Sequence, residues 1–428
     1  MSASGGIISI PSSTQGKAVW ASAIIVILVA GFVAGWYMAP KPTGRSVLTG
    51  EIPIGALVAL TGDLATFGTR EKVAIELAEA DINQFLATVG ASFTIKVLFE
   101  DTATDPAVAL QKLQSLAARG VKAVVGPLAS GEVRNIKGYA DSNKIVIVSQ
   151  SSTATDLSIP GDFVFRLVTD DFPQGRVLGQ LLYEMGITHV FLVYRGDTYG
   201  DGLADVINDT FTSLGGTVLD SVRYNYEAAD FSVELSALNA KVSQAVAQYG
   251  ASKVAIELIS FEEATQILLQ AKDYAALMSI KWVGCDGTAM SARIVAQAGA
   301  QAAAVILYST IFGVGYSDKF ESLHDRMVAI IGEEPDDYSY LAYDCLWVIA
   351  LSMLSCDVYD GDAIRLALPS VAENFFGSSG WTRLNSAGDR YIGDYAIYAV
   401  VQSGNAFTWT KAATYSASSG SITWQVRI

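Results

Sequence analysis

From Ile52 onward the chain alternates short apolar strands with amphipathic helices, and this alternation restricts the accessible folds most strongly. The run 52-IPIGALVAL-60 is followed by the loop 61-TGDLATFGT-69 and then by 70-REKVAIELAEADINQFL-86, whose apolar residues recur at helical spacing. Strands that alternate with helices through short connections form parallel, doubly wound sheets, so we predict an α/β fold. The first half continues with a strand over 93–101, a helix over 107–120, and strands over 121–126 and 144–149.

The same alternation restarts at 188-THVFLVYR-195, which predicts a second α/β half. Two lobes agree with a length of 428 residues, because a single core rarely serves a chain of that size. Asp344 lies inside the apolar run 341–356, which favours a buried core helix over a membrane span. The other elements predicted in this half are a helix over 201–214, strands over 217–224, 253–260, 280–284 and 304–310, and a helix over 317–327.

The N-terminal region contains a long uncharged segment. Lys17 precedes 18-AVWASAIIVILVAGFVAGWYM-38, which is long enough to cross about 30 Å of hydrocarbon. We predict an uncleaved transmembrane anchor that places the large domain outside the cytoplasm, with a tail over 1–17 and a linker over 39–50. A cleaved signal peptide is the alternative, although no Ala-x-Ala site follows the apolar core.

Charge and missing motifs exclude several function classes. The formal net charge of −15 argues against a nucleic-acid partner, because surfaces that bind nucleic acid are basic. The chain has no G-x-S-x-G, H-E-x-x-H or P-loop motif, and the loop 61–69 does not match G-x-G-x-x-G. Two isolated histidines, His189 and His324, cannot form a zinc site without distant carboxylates. We therefore expect a binding protein with no catalytic site, metal or cofactor.

Hydroxyl-rich loops follow two neighbouring strands of the first half. Strand 121–126 leads to Ser130 at a helix start, and strand 144–149 leads into 150-QSSTATDLS-158. Ligands of open α/β sheets bind beyond the carboxyl ends of the strands, and helix N-termini favour anions. These loops together can therefore bind a carboxylate. The alternative is that Ser130 only caps its helix and that 151–155 is a polar turn.

Two strand ends of the second half add further polar residues. The loop 195-RGDTYGDGLAD-205 places Tyr199 just before a helix, and 283-VGCDG-287 leaves Asp286 at a strand tip. Asp286 either pairs with a ligand ammonium group or turns the chain together with Gly287.

In this order the loops resemble those of type I periplasmic substrate-binding proteins, specifically the branched-chain amino-acid (Leu/Ile/Val-binding) group that serves ABC importers. The resemblance covers roughly residues 51–400. It is carried by 54-IGALVALTGDLATFG-68, 99-FEDTATDPAVAL-110, 123-AVVGPLASG-131, 149-SQSSTAT-155, 196-GDTYGDGLAD-205, 230-DFS-232, 283-VGCDG-287 and 386-SAGDR-390.

The resemblance implies two lobes, joined by hinge strands, that close on a ligand. It assigns residues 51–168 and 313–378 to lobe one, and residues 169–312 and 379–428 to lobe two. The chain after about Tyr398 has no clear counterpart in the family.

The resemblance also implies roles for nine residues. Ser130 and Thr153 match residues that hold the ligand α-carboxylate. The carbonyl of Ser151 and the side chain of Asp286 match groups that take the ammonium group, and Tyr199 matches a tyrosine that closes from lobe two. The residues expected beside the ligand side chain are Phe67, Leu128, Ala129 and Phe261, with Ser260 as the alternative to Phe261.

We therefore expect a membrane-anchored, extracytoplasmic protein that binds a branched-chain or similar apolar amino acid and delivers it to an ABC permease. Two alternatives are a ligand-sensing receptor ectodomain and a binding protein for an amide or urea-type solute. The tripeptide Asn208-Asp209-Thr210 matches a glycosylation acceptor, although such a match inside a predicted helix often arises by chance.

Overall fold

The computed structural model describes residues 48–428, whose strands form two main sheets and one short hairpin. The predicted tail over 1–17, the predicted anchor over 18–38 and residues 39–47 of the predicted linker lie outside the described residues. Gly50, at the end of that predicted linker, already belongs to the first strand.

The first sheet consists of five parallel strands, and helices connect its first four strands as the alternation predicts. Apolar residues such as Leu57, Val124 and Ile147 form a core with helix residues such as Leu113 and Val133. The strands are β1 (Gly50–Val58), β2 (Phe93–Asp101), β3 (Ala123–Val125), β4 (Val146–Ser149) and β5 (Val164–Arg166), in the order β2-β1-β3-β4-β5. The helices are α1 (Ala65–Thr88), α2 (Pro106–Ala118) and α3 (Ser130–Asn143).

The second sheet has eight strands, five of them parallel and three added antiparallel at one edge. The parallel strands are β6 (His189–Arg195), β7 (Thr217–Tyr224), β8 (Val254–Ile259), β9 (Lys281–Gly284) and β10 (Tyr308–Gly313). The antiparallel strands are β13 (Asp394–Ser403), β14 (Ala406–Ser416) and β15 (Ser421–Trp424), which complete the order β15-β14-β13-β10-β9-β8-β6-β7. The hairpin is made of β11 (Phe376–Gly377) and β12 (Gly380–Trp381).

The helices divide between the two sheets, so the chain passes from one sheet to the other three times. Six helices accompany the second sheet: α4 (Asp171–Glu184), α5 (Thr198–Ser213), α6 (Ser232–Tyr249), α7 (Ala264–Ala271), α8 (Ala292–Gln297) and α9 (Gly299–Ala304). Three later helices return to the first sheet: α10 (Asp318–Ile331), α11 (Asp337–Cys356) and α12 (Gly361–Asn374), with α11 packed on α1 and α12. We call the first sheet with α1–α3 and α10–α12 lobe one, and the second sheet with α4–α9 lobe two.

Several predicted element boundaries differ from the observed ones by a few residues. The strand predicted over 304–310 is wrong in its first part, because α9 runs to Ala304 and β10 begins at Tyr308. Helix α1 begins at Ala65, inside the predicted loop. The lobe boundary after residue 378 stays a prediction; this position lies in the turn of the β11–β12 hairpin, where Ser379 N donates to Asp344 of α11 at 2.8 Å.

Helix α11 is the core helix of lobe one. Of the described helices it alone is long and apolar enough to cross a membrane, and 72% of its most apolar window is buried inside the protein. The buried carboxyl of Asp344 accepts hydrogen bonds from the N–H groups of Ser378 and Ser379. These contacts agree with the predicted core helix, because a buried carboxyl requires such donors.

Candidate functional site

A cavity lies where the two lobes meet. Its walls come from the segments that follow β3, β4, β8 and β9, together with the starts of three helices. Lobe one contributes Leu64, Phe67, Leu128, Ala129, Ser130, Ser151 and Tyr338, and lobe two contributes Tyr199, Phe261, Asp286 and Gly287.

Glycine positions the lobe-one loop of this cavity. Gly126 directly follows β3, has a φ of +87°, and is so close to β1 that a Cβ atom would lie 2.1 Å from the carbonyl oxygen of Leu57. Only glycine fits both requirements. The chain therefore turns sharply over the strand end and brings Leu128, Ala129 and Ser130 to the cavity.

Ser130 does not cap its helix, which corrects one of the two predicted readings. Helix α3 begins at Ser130 with Ala129 in the capping position, and Glu132 Oε2 accepts from Ala129 N at 2.9 Å. The Ser130 hydroxyl oxygen instead accepts from Thr153 N at 3.1 Å and Ala154 N at 3.0 Å. It therefore ties the loop after β4 to the start of α3.

The loop after β4 supplies Ser151 and Thr153. Ser151 lines the cavity and donates to the carbonyl oxygen of Leu128 at 3.2 Å. Thr153 is buried behind Ser130 and does not line the cavity, and its Oγ1 has no hydrogen-bond partner among the described residues. Its carbonyl oxygen accepts from Asp171 N at 2.8 Å, which connects this loop to lobe two.

Asp286 faces the cavity from lobe two, two residues beyond the end of β9, and is only 4% exposed. Its Oδ1 accepts from the hydroxyl of Tyr199, and its Oδ2 accepts from the hydroxyl of Tyr338 at 2.5 Å. Because Tyr338 belongs to α11 of lobe one, this carboxyl group links the two lobes across the cavity.

The carboxyl group of Asp286 has no cationic partner in the cavity wall, since none of the described lining residues is a lysine or arginine. Burial raises the pKa of Asp286 above its ordinary value, although the hydroxyl groups of Tyr199 and Tyr338 oppose this by stabilising the carboxylate. A ligand cation would therefore stabilise the ionised form of this group.

A second buried carboxyl group, Asp171, lies behind the cavity. It is the first residue of α4, it is fully buried, and neither of its oxygens has a hydrogen-bond partner among residues 48–428. Burial and the neighbouring carboxyl of Asp286 raise the pKa of Asp171 well above its ordinary value. The lobe-two end of the site therefore brings two buried carboxyl groups close together.

Contacts between the lobes cover the cavity. Thr66 of α1 donates to Glu262 Oε1 at 2.5 Å, and Glu262 N donates to the carbonyl oxygen of Asp63 at 3.1 Å. Arg70 Nη1 donates to the carbonyl oxygen of Met290 at 3.0 Å. These bonds cross from lobe one to lobe two, so the structure has a closed cleft.

Eight of the nine predicted binding residues line this cavity, and Thr153 lies directly behind it. Phe261, rather than Ser260, provides the aromatic wall after β8. That these residues bind a ligand stays a prediction. Tyr338 and Asp171 were missed, although paired acidic residues mark both helix starts. Tyr338 follows the pair Asp336–Asp337, and Asp171 is the second residue of the pair Asp170–Asp171.

Other predicted features lie elsewhere. Asn208 is half-buried within α5, and Thr210 packs so closely on Gly179 that a Cβ atom at Gly179 would lie 2.7 Å from its methyl carbon. The predicted acceptor tripeptide is thus part of a helix packed on its neighbour. Across residues 48–428, no group of three or more His, Cys, Asp or Glu side chains could hold a metal ion.

Comparison with known families identifies a related group. The model of the receptor family ligand binding region matches residues 70–403. An uncharacterized protein of Methanocaldococcus jannaschii is 34% identical over 420 residues, which span 93% of this chain and 98% of that protein. A Leu/Ile/Val-binding protein homolog of Brucella melitensis is 27% identical over 198 residues, 46% of this chain, and the match spans only about half (53%) of its length.

Solved structures share the fold. A leucine-binding protein of Thermotoga maritima superimposes with a TM-score of 0.73 at 21% identity, covering 86% of this chain and 99% of that one. A branched-chain amino-acid transporter substrate-binding protein of Streptococcus pneumoniae, in complex with isoleucine, gives 0.68 at 23% identity over 84% and 99% of the two chains. A solute-binding protein of an ABC transporter from R. palustris, in complex with benzoate, gives 0.67 at 16% identity over 85% and 96%.

Proposed function

Because the chain belongs to the family of receptor ligand-binding regions and has the fold of type I periplasmic binding proteins, we propose that it is the solute-binding protein of an ABC importer. Its ligand is a branched-chain or similar apolar amino acid, held between the two lobes. The observation that carries this proposal is the cavity itself, in which Ser130 at a helix start and the uncompensated carboxyl of Asp286 share apolar side walls.

The lobe-one end of the cavity suits a carboxylate. The first N–H groups of α3 have no partner within the helix, and the helix dipole favours negative charge at that end. The Ser130 oxygen accepts from two backbone N–H groups and from the Ser152 hydroxyl at 3.2 Å, so its own proton is the part of this hydroxyl that remains for a ligand oxygen. Ser151 adds a second hydroxyl beside it.

The lobe-two end suits an ammonium group. Asp286 is held by two tyrosine hydroxyls and lacks a cation, so a ligand ammonium would both pair with the charge and receive charge-assisted hydrogen bonds. An amino acid carries the two required charged groups on one carbon atom, whereas benzoate lacks the ammonium group and urea lacks both.

The remaining walls suit an aliphatic side chain. Leu64, Phe67, Leu128 and Phe261 present apolar surface to the cavity. Burying aliphatic groups against such walls contributes about 25 cal/mol for each Å² removed from water. Leucine, isoleucine and valine are therefore better ligands than polar amino acids of similar size.

The anchor over 18–38 and an ABC permease complete the proposed system. The uncharged N-terminal segment supports attachment to the membrane with the large domain outside the cytoplasm. Carbonate extraction of membranes tests this directly: the full-length chain stays in the pellet if the segment spans the bilayer, and its release into the supernatant would contradict the proposal.

The binding function is tested by calorimetric titration of the purified full-length chain in detergent. The panel consists of leucine, isoleucine, valine, alanine, benzoate, acetamide and urea. We expect the branched-chain amino acids to bind most tightly and benzoate not to bind. Preferential binding of an amide or urea would support that alternative instead, and binding of none of the panel would reject the proposed ligand class.

A further inference from the structure

Arg195 is a buried cation that lies behind the aromatic wall of the cavity. It is the last residue of β6, it is 2% exposed, and it is not among the residues that line the cavity. Burial lowers the pKa of Arg195, but the carboxylates of Glu263 and Asp197 more than offset this and raise it above the ordinary value. The guanidinium therefore stays charged although it is buried.

The two acidic partners of Arg195 each fix one aromatic side of the cavity. Arg195 Nη1 donates to Glu263 Oε1 at 2.7 Å, and Glu263 Oε2 accepts from the N–H of Phe261 at 3.1 Å. Arg195 Nε donates to Asp197 Oδ2 at 2.7 Å. Asp197 Oδ1 in turn accepts from Gly200 N, so Asp197 caps the start of α5, the helix that carries Tyr199.

Arg195 also contacts the aromatic wall directly. Its guanidinium carbon lies 3.6 Å from the ring centroid of Phe261 and 4.5 Å from that of Tyr226. The ring of Phe261 in turn stacks on Tyr199 at 5.2 Å. One guanidinium group thus holds both the backbone and the ring of Phe261, and it holds the helix start that presents Tyr199.

We propose that Arg195 is a positioning residue that sets the side-chain selectivity of the cavity through Phe261 and Tyr199. This inference rests on the proposed amino-acid-binding function and deepens it. Through Phe261, Arg195 acts on the part of the cavity that contacts the ligand side chain. Through Tyr199, which donates to Asp286, it also acts on the groups that bind the charges common to all amino acids. Loss of the planar guanidinium group therefore weakens the binding of large apolar ligands more than the binding of small ones.

The test compares Arg195→Lys with wild type, because lysine keeps the charge but loses the bidentate fork and the stacking plane. The matched control is Arg223→Lys. Arg223 makes a two-point ion pair with Asp201 of α5, the helix that also carries Tyr199, but Arg223 is exposed. Dissociation constants for leucine and alanine are measured by calorimetry, and the unfolding temperature of each variant by scanning calorimetry.

For Arg195→Lys we expect leucine affinity to fall about tenfold and alanine affinity to fall about twofold or less, in line with the loss of a buried cation–π contact and a charged hydrogen bond. The control leaves both affinities unchanged. Equal losses for the two ligands, or a lower unfolding temperature with unchanged affinities, would show that Arg195 is merely structural and would overturn the proposal.

Two further measurements test the positioning role of Arg195 if wild type binds neither amino acid or if Arg195→Lys does not fold. If wild type binds neither amino acid, the proposed function fails, and the ligand-free crystal structures of the two lysine variants then decide the positioning role. Displaced Phe261 and Tyr199 rings in Arg195→Lys alone support it, and unmoved rings overturn it. If Arg195→Lys does not fold, the double variant Arg195→Gln, Glu263→Gln removes the buried pair together and is measured in the same way.

Discussion

The two ends of the cavity differ in how far the protein satisfies its own polar groups. At the lobe-one end, the Ser130 oxygen accepts from two backbone N–H groups of the same lobe. At the lobe-two end, Asp286 accepts one of its two tyrosine hydrogen bonds from the opposite lobe, and the buried carboxyl of Asp171 lies close to it. The lobe-one end is therefore preformed, whereas the lobe-two end needs closure and a ligand cation to become satisfied.

The strongest challenge to this comparison is Asp286→Asn. The substitution keeps the shape but removes the negative charge, so the ligand ammonium loses its buried partner. We expect amino-acid affinity to fall about 100-fold, in line with about 2–5 kcal/mol for a broken buried charge pair. The stability of the ligand-free protein should stay unchanged or rise, because an unpaired buried carboxyl is removed.

Titration calorimetry and thermal unfolding measure both effects of Asp286→Asn. The control is Asp273→Asn, an exposed aspartate that follows α7. A large loss of stability with unchanged affinity would mean that Asp286 is a structural link between the lobes rather than a ligand partner.

Ser130→Ala tests the lobe-one end, where we expect a larger effect on stability and a smaller effect on affinity than for Asp286→Asn. It removes a ligand contact but also leaves two buried N–H groups without an acceptor, which costs about 1–3 kcal/mol of unfolding free energy for each unsatisfied group. We expect a clear loss of stability together with a loss of affinity of about tenfold. Denaturant unfolding and calorimetry measure the two quantities.

Ser142→Ala is the matched control for Ser130→Ala, because Ser142 lies on the same helix and donates only to a carbonyl of its own helix. If Ser130→Ala lowers stability without any change in affinity, the lobe-one end contributes only structure, and the comparison between the two ends fails.

The dependence of stability and of amino-acid affinity on pH also distinguishes the two ends of the cavity. A carboxyl whose pKa is raised by folding stabilises the ligand-free protein below the ordinary aspartate pKa of about 3.9, and this contribution is lost as the pH rises through the raised pKa. A ligand ammonium favours the carboxylate, so amino-acid affinity should increase over the same rising pH window. The increase is at most about tenfold per pH unit for one released proton.

Calorimetry at a series of pH values above 4 measures this dependence, with thermal unfolding of the ligand-free protein alongside. Asp286→Asn should flatten the fall of ligand-free stability with pH. An affinity that is independent of pH, or that falls as the pH rises, would contradict the assignment of the ammonium group to this end.

The smallest expected effect concerns closure. Thr66→Val removes the donor of a hydrogen bond that crosses the cleft to Glu262, without changing the cavity lining. We expect about three- to tenfold weaker binding, mostly through faster dissociation, because a partly buried hydrogen bond contributes a net of about 0.5–1.5 kcal/mol.

Stopped-flow dissociation measures the closure effect, and Thr69→Val on the same helix is the control, since Thr69 donates only to carbonyls of its own helix. A slower association rate with unchanged dissociation would indicate that Thr66 does not stabilise the closed cleft.

The strand ends were the part of the site that the sequence could predict. Ser130 and Asp286 follow apolar strands with clear boundaries, and the carboxyl ends of parallel strands share one edge of a sheet. Asp171 escaped this reasoning because the short strand before it, β5, was not predicted from the sequence. Tyr338 escaped because it enters the site from a helix that returns from a distant part of the chain.

Two boundary errors have local causes. Gly68 looked like loop punctuation, but a Cβ atom there would lie 2.0 Å from the carbonyl oxygen of Ala59, so this glycine permits close packing of helix on strand. The apolar run 304-AVIL-307 looked like a strand, but Ile306 has a φ of +50° and turns the chain between α9 and β10. In both places tertiary packing, rather than local pattern, determines the element boundary.

The central claim is that the cavity holds a zwitterion between the start of α3 and Asp286. The most direct test compares leucine with 4-methylpentanoate, which has the same carboxylate and side chain but no ammonium group. We expect leucine to bind the wild-type protein about 100-fold more tightly, because only leucine pairs with the buried carboxyl. Equal or tighter binding of 4-methylpentanoate would contradict the account.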